Sequence, residues 1–229
     1  MKDTNTKLLS TPKLFAREND IIQWGIDRNI IGNTAQGTVA GQLEKTRQEH
    51  QEWKDKHSKD DLGDIFVTLV MASALKGASI TDTIYSIFPI NFNNFLRDAE
   101  EILLEVCEDR LDSDIEDLLT KDNFDLDTAY TVVALYMVAI KYGWTLDECI
   151  EVAWLDIKDR TGVMVHGTFI KQQNLDILFS EGMEVKTEDK VWLEGKVDNP
   201  EVVCNVLDEL GFEYQSINGL VKTFDVKNQ

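Results

Sequence analysis

Hydrophobic positions recur at helical spacing along most of the chain. Behind a loose polar arm over residues 1–17, Ile21, Ile22, Ile26 and Ile30 open the pattern. A loop, GNTAQG at 32–37, leads into a charged helix predicted over about 38–57. Its partner runs from Asp60 or Asp61 to about Lys76, where Gly77 stops it, and is apolar almost all round from Ile65 to Leu75, as a buried helix is. Because the connection is short, the two should form an antiparallel hairpin. Residues 78–93 read as a connection containing Pro89, followed by a helix from about Phe95 to Asp109, an acidic stretch DRLDSDIEDLL, and an apolar helix at about 127–142. Thr145 with Glu148 has the form of a capping box, opening a helix that ends near Arg160 with Gly162 as its stop. An offset of 66 residues matches Asp61 to Asp127, Val67 to Val133, Leu69 to Leu135, Met71 to Met137 and Gly77 to Gly143. That is a weak repeat signal, compatible with a duplicated hairpin or with two buried helices sharing apolar letters.

Toward the C-terminus the period shortens. Lys190–Val197 reads as a strand, and Asn199-Pro200 supplies a helix cap and first-turn proline. Val202, Val203, Val206, Leu207 and Leu210 line one helix face, closed by Gly211. Residues 212–217 and 220–226 flank Asn218-Gly219, a strong hairpin signal. The fold class that follows is mainly α: a helical domain over 18–171 with an inserted helical pair at 78–142, then a small βαββ subdomain over 172–229.

Composition narrows the function. With 42 acidic against 23 basic residues the formal charge is −19, which repels a phosphate backbone, and no basic stripe offsets it. Nucleic acid is therefore not an expected partner. The longest apolar-and-small run, Ile65–Leu75, falls short of the roughly 18–20 residues a bilayer requires, so no membrane association is expected. The opening MKDTNTKLLSTPK lacks the apolar core of a signal peptide, and a cytoplasmic location is the expectation. Cys107, Cys149 and Cys204 form no CxxC pair and read as inert thiols.

The informative chemistry lies in the first hairpin. Glu49 and Glu52, within QEHQE, are three apart and share a helix face; Asp61 and Asp64, within DDLGD, repeat that spacing on the partner helix. A turn around 55–60 places all four at one end of the pair. Like charges that close ask for a cation, and hard oxygen ligands suit Mg²⁺ or Mn²⁺. The plainer reading is a solvated helix face and a first turn whose aspartates answer the helix dipole.

Four segments, WGIDRNIIGN at 24–33, KTRQEHQEW at 45–53, DDLGDIFVTLVMASALKG at 60–77 and TLDECIEVAWLDIKDRTGVMVHGTFIK at 145–171, resemble the MazG-like nucleotide pyrophosphohydrolases, particularly compact phage-type members. These belong to the all-α NTP pyrophosphatase superfamily. Its motif is Glu-Glu-x-x-Glu on one helix and Glu-x-x-Asp on the next. Glu49 and Glu52 match the second and third acids, and Asp61 and Asp64 the last pair. Gln48 stands where the first Glu is usual, Asp61 replaces a longer Glu, and the half-motifs are closer than is common.

The resemblance implies a Mg²⁺-dependent enzyme converting a nucleoside triphosphate, in particular a deoxyribonucleotide, to the monophosphate and pyrophosphate. In it Glu49, Glu52, Asp61 and Asp64 hold the metal. Arg160 and Lys158, in DIKDRTG, resemble a basic element that contacts substrate phosphates, although cations there also offset the dipole of the last helical turn. Compact relatives form dimers of hairpins. This chain is therefore expected either to dimerise or to supply the partner internally through 78–142. The inserted copy of the site reads as lost, with Tyr130 opposite Asp64 and Glu100 and Glu101 only an approximate echo. The alternative is a weakened descendant that binds nucleotide or protein without turnover. His50, His57 and His166 read as surface or structural, and Trp24 and Trp53 as packing residues.

Overall fold

A computed structural model of the chain describes residues 8–9, 13–32, 37–88, 104–187 and 191–226. Among these it is mainly helical, with small antiparallel sheets. It divides into two compact units, one of residues 1–26 and 38–159, the other of 27–37 and 160–229.

The first unit is all helix. It contains α1 (Glu18–Asp27), α2 (Val39–Lys56), α3 (Lys59–Leu75), α4 (Ile80–Ile87), α5 (Cys107–Thr120), α6 (Phe124–Lys141) and α7 (Leu146–Ile157). Four of these helices open where a small polar residue satisfies a first-turn N–H: Thr38 for α2, Ser58 for α3, and capping boxes Ser79/Asp82 for α4 and Thr145/Glu148 for α7. Two hairpins, α2–α3 and α5–α6, supply the core. Helix α3 is its centre, packing against α2, α4, α6 and α7 with thirteen of its residues buried. Gly63 makes the α3–α7 approach possible: a Cβ there would lie 2.2 Å from the Cys149 carbonyl oxygen and 2.8 Å from the Ala153 Cβ.

Several boundaries differ from the sequence reading. The N-terminal arm is not loose where it is described: Leu8 and Phe15 are buried, and Phe15 meets Phe66 edge-on at 4.8 Å. Residues 80–87, taken as connection, form α4, because the Ser79/Asp82 box nucleates it. The acidic stretch DRLDSDIEDLL is the body of α5, whose buried Leu111, Ile115 and Leu118 have helical spacing. Of the helix expected from Phe95 to Asp109, residues 95–103, with Glu100 and Glu101, lie outside the described residues, as do 33–36 of GNTAQG, while 107–109 open α5. Helix α7 ends at Ile157, and Gly162 starts a strand instead of stopping a helix.

The second unit comprises β1 (Gly162–Val165), β2 (Thr168–Lys171), α8 (Gln172–Ser180), β3 (Met183–Thr187), β4 (Val191–Lys196), α9 (Pro200–Glu209), β5 (Phe212–Ile217) and β6 (Leu220–Val226). Strands β1 and β2 pair as a hairpin, and the other four form an antiparallel sheet in the order β3-β4-β6-β5. The predicted βαββ is there, enlarged by α8 and β3 into two αββ halves: Leu178, Gly182 and Met183 recur as Leu207, Gly211 and Phe212. Both glycines have positive φ, +96° and +76°, which turns each helix directly into its strand. The unit starts at Arg160 instead of residue 172 because Val165 and Ile170 of the first hairpin lie in its core with Leu193, Leu207 and Val221.

No single described helix is long and apolar enough to cross a membrane; α3 and α4 pass that test only as a pair bent by 82°. Cys107 and Cys149 are buried and Cys204 partly so, all as free thiols.

Candidate functional site

The α2–α3 hairpin turns through two residues. His57 adopts the left-handed conformation (φ 53°) and its N–H donates to the Trp53 carbonyl at 2.7 Å. Ser58 then caps α3, its Oγ accepting from the Asp61 N–H at 3.1 Å. Register is set further along, where the buried hydroxyls of Thr46 and Thr68 meet at 2.8 Å. One turn toward the tip brings His50 level with Asp64, and two turns bring Trp53 level with Asp61. The inward stripe of α2 is Gln42, Thr46, His50 and Trp53, all buried.

About 100° per residue places Glu49 roughly 60° to one side of Thr46, and Asp64 roughly 40° to one side of Thr68. In an antiparallel pair these are the same flank. Ideal helix geometry therefore puts Glu49 and Asp64 on one flank at about one level of the hairpin, both half-buried. His50 falls on the opposite flank, where α5 lies. Its Nε2 is 2.8 Å from Asp112 Oδ1 but off the line that a ring N–H bond needs, while Lys54 Nζ reaches Asp112 Oδ2 at 2.9 Å. Burial holds the His50 imidazole below its usual range, with Asp112 opposing.

The other two acids are joined by an internal cation. Lys56 Nζ lies 2.5 Å from Glu52 Oε2 and 3.7 Å from Asp61 Oδ1. Glu52 is exposed; Asp61 is buried and accepts from the Ser58 hydroxyl at 2.5 Å. The four predicted acids thus form two sets, Glu49 with Asp64 along the flank and Glu52 with Asp61 around an ammonium. Among the described residues no group of three or more His, Cys, Asp or Glu side chains gathers as a metal site would require. The donor chemistry suits a hard divalent ion; the side-chain placement does not assemble its shell.

Gln48 is exposed and its amide donates to Glu44 Oε1 at 3.2 Å. Lys158 is exposed just past the end of α7. Arg160 belongs to the second unit, where Arg28 Nε donates to its carbonyl at 2.7 Å. Trp24 is a packing residue, its indole N–H donating to the Ile157 carbonyl at 2.9 Å.

Two features were missed in the sequence. The α5–α6 hairpin repeats the acidic positions of the first more closely than Glu100 and Glu101 suggested. Asp114, Asp117 and Lys121 follow Glu49, Glu52 and Lys56 at an offset of 65, while Asp127 and Tyr130 follow Asp61 and Asp64 at 66. The i, i+3 pair Asp114/Asp117 was the available signal; the change of offset at the turn hid it. The second feature is a run of rings at the hairpin tip. Trp53, His57, Tyr142 and Trp144 follow one another with centroids 4.9, 5.8 and 5.2 Å apart, and Lys59 Nζ lies 5.7 Å from the centre of the last. These rings fasten the α2–α3 turn to the end of α6, a contact between residues 85 positions apart that no local pattern announces.

No family model matches the chain, and neither a curated protein nor a solved structure matches it.

Proposed function

We propose that the chain is a Mg²⁺-dependent nucleoside triphosphate pyrophosphohydrolase of the all-α NTP pyrophosphatase kind, releasing pyrophosphate and a (deoxy)nucleoside monophosphate. The observation that supports this best is the Thr46–Thr68 contact, a hairpin register from which helix geometry puts Glu49 and Asp64 on one flank. In this structure Lys56 supplies the positive charge between Glu52 and Asp61. A divalent ion held by Glu49, Glu52, Asp61 and Asp64 would neutralise charge on the phosphates. To admit it, Lys56 must swing outward, which its exposed side chain permits, and Asp61 must turn from the Ser58 hydroxyl.

The chain's own residues would then divide the work. Asp64 and Asp61, on the buried helix α3, form the rigid side of the site, and Glu49 and Glu52 the adjustable one. A carboxylate of the set accepts the proton of the attacking water. Gln48 carries no charge and cannot take that part. The α5–α6 hairpin packs beside α2–α3 within the same chain, and would take the role a second subunit has in dimers of hairpins.

One observation favours the second reading, a nucleotide-binding module without turnover: three acids are not gathered on one point among the described residues. The two readings part on product. With Mg²⁺ and a panel of ribo- and deoxyribonucleoside triphosphates, the enzyme releases pyrophosphate and a monophosphate from at least one, and Asp64→Asn or Glu52→Gln removes that release. Nucleotide binding with no release in the whole panel would establish the module instead.

A further inference from the structure

Three acids, Asp114, Asp117 and Asp127, and two bases, Arg110 and Lys121, act on one another electrostatically where α5 and α6 converge. Arg110 grips Asp114 with two bonds, Nε to Oδ2 at 3.0 Å and Nη2 to Oδ1 at 2.8 Å. Lys121 holds Asp117 at 2.7 Å. Each cation is thus already committed to another acid when the third, Asp127, is considered. Asp127 is 8% exposed, and its Oδ2 is sealed from solvent with no hydrogen-bond partner.

The matching position in the first hairpin explains the difference. There Asp61 has the Ser58 hydroxyl at 2.5 Å and Lys56 at 3.7 Å. Helix α6 begins at Asn123, whose side chain makes no capping bond, so no hydroxyl arrives to serve Asp127. An ionised carboxylate without a partner is costly to bury, and the inexpensive remedy is a proton.

We propose that the α5–α6 tip is a proton-operated latch: Asp127, sealed beside Asp114 and Asp117, keeps its proton while the two helices are closed, and ionising it loosens them. This inference does not depend on the nucleotide reading. Besides Asp127 acting on Asp114, the charged groups acting on these two acids are Arg110 and Asp117 of α5 and Lys121 at its C-cap. Helices α2, α3, α4 and α7, which pack against the hairpin, add none among the described residues that acts as strongly. Burial, and then the neighbouring Asp117, hold Asp127 above the ordinary carboxylate range against Lys121. Burial also pushes Asp114 up to about 6 against Arg110. Asp114 borders a mainly apolar pocket of about 110 Å³ with Arg110, Tyr130 and Met137.

Helix α5 also carries Asp112, half a turn from Asp114, which contacts His50 and Lys54 of α2. Loosening α5 therefore relaxes a tie to the first hairpin.

The sign follows from linkage. A carboxyl raised in the closed form favours closure at low pH, and that advantage is lost as pH rises through the closed-form value. Amide hydrogen exchange of the full chain from pH 4 to 8, corrected for intrinsic rates, should show this against Asp127→Asn, a neutral side chain of the same shape. Protection of α5 and α6 relative to the variant should fall about tenfold per pH unit above about pH 4, then level off where Asp127 ionises. A ratio that stays flat across the range overturns the latch. Should the variant fail to fold, carbon NMR of the unmodified chain decides: an Asp127 carboxyl titrating at or below the ordinary value near 3.8 overturns it, and one titrating well above supports it.

Discussion

Hairpins α2–α3 and α5–α6 share a plan and differ in how they treat charge. In the first, Thr46 meets Thr68 at the helix contact; in the second, the same positions hold Leu111 and Ala134. The first leaves Glu49 and Asp64 together on a flank. The second replaces the latter acid with Tyr130 and covers that ring with the Arg110 guanidinium at 5.4 Å. A lysine four residues after the second acid of the helix recurs in both, as Lys56 and Lys121, each paired with that acid. Two hairpins with one charge pattern therefore differ in how much of it they bury: in the first only Asp61 is buried, with a capping hydroxyl beside it, while in the second Asp114 and Asp127 are both buried and Asp127 has no such hydroxyl.

The sharpest way to break this comparison is to neutralise matching acids. Glu49→Gln and Asp64→Asn should each lower Mg²⁺-dependent pyrophosphate release about 100-fold or more. Asp117→Asn, at the counterpart of Glu52, should leave it within a few fold, as steady-state assays of the variants would show. Equal losses from both hairpins would mean that the second is also part of the site.

Next in size is a pH effect confined to the second hairpin. Because Asp114 is held up to about 6, the native state's advantage from it is present at low pH and lost as pH rises from about 4 to 6. Measured by urea unfolding, Asp114→Asn should gain on the unmodified chain by about 2–3 kcal/mol across that window, on top of a pH-independent loss of its bonds to Arg110. No change in the difference between pH 4 and 6 would contradict the burial argument.

Packing separates the hairpins on a smaller scale. Gly63 of α3 corresponds to buried Ala129 of α6. Gly63→Ala forces a methyl against the Cys149 carbonyl and should cost about 1–3 kcal/mol, despite alanine's better helix propensity. Ala129→Gly should cost only about 1 kcal/mol. Thermal unfolding compares them, and a stabilised Gly63→Ala variant would show that α3 and α7 are not in close contact. The smallest effect is Thr68→Val, which leaves Thr46 bonded to the Gln42 carbonyl and should cost about 1 kcal/mol. A loss several times larger would mean that the hydroxyl pair does more than set register.

These contrasts also explain what could be read in advance. Helices α2, α3, α6 and α7 were legible because apolar spacing and capping residues are local, and Asn218-Gly219 announced the β5–β6 turn for the same reason. Helix α5 was hidden by its acids, since Asp and Glu dominate it and only Leu111, Ile115 and Leu118 betray the buried face. Strand β3 was missed because MEVKT is too short and too polar to stand out before its partner β4 is known. At the site, spacing alone placed Glu49 with Glu52 and Asp61 with Asp64. Which acid faces which across the hairpin depended on the Thr46–Thr68 contact. Lys56 was invisible as a participant because any lysine four residues after a glutamate reads as a surface pair.

The most direct test is to ask which hairpin takes a divalent ion. Mn²⁺ titrated into the isotopically labelled full chain broadens amide signals near its binding point. With the nucleotide reading, amides around residues 49–64 broaden first, and Asp64→Asn removes the effect while amides around 114–127 stay sharp. Broadening that is absent, or that begins in the second hairpin, would contradict it.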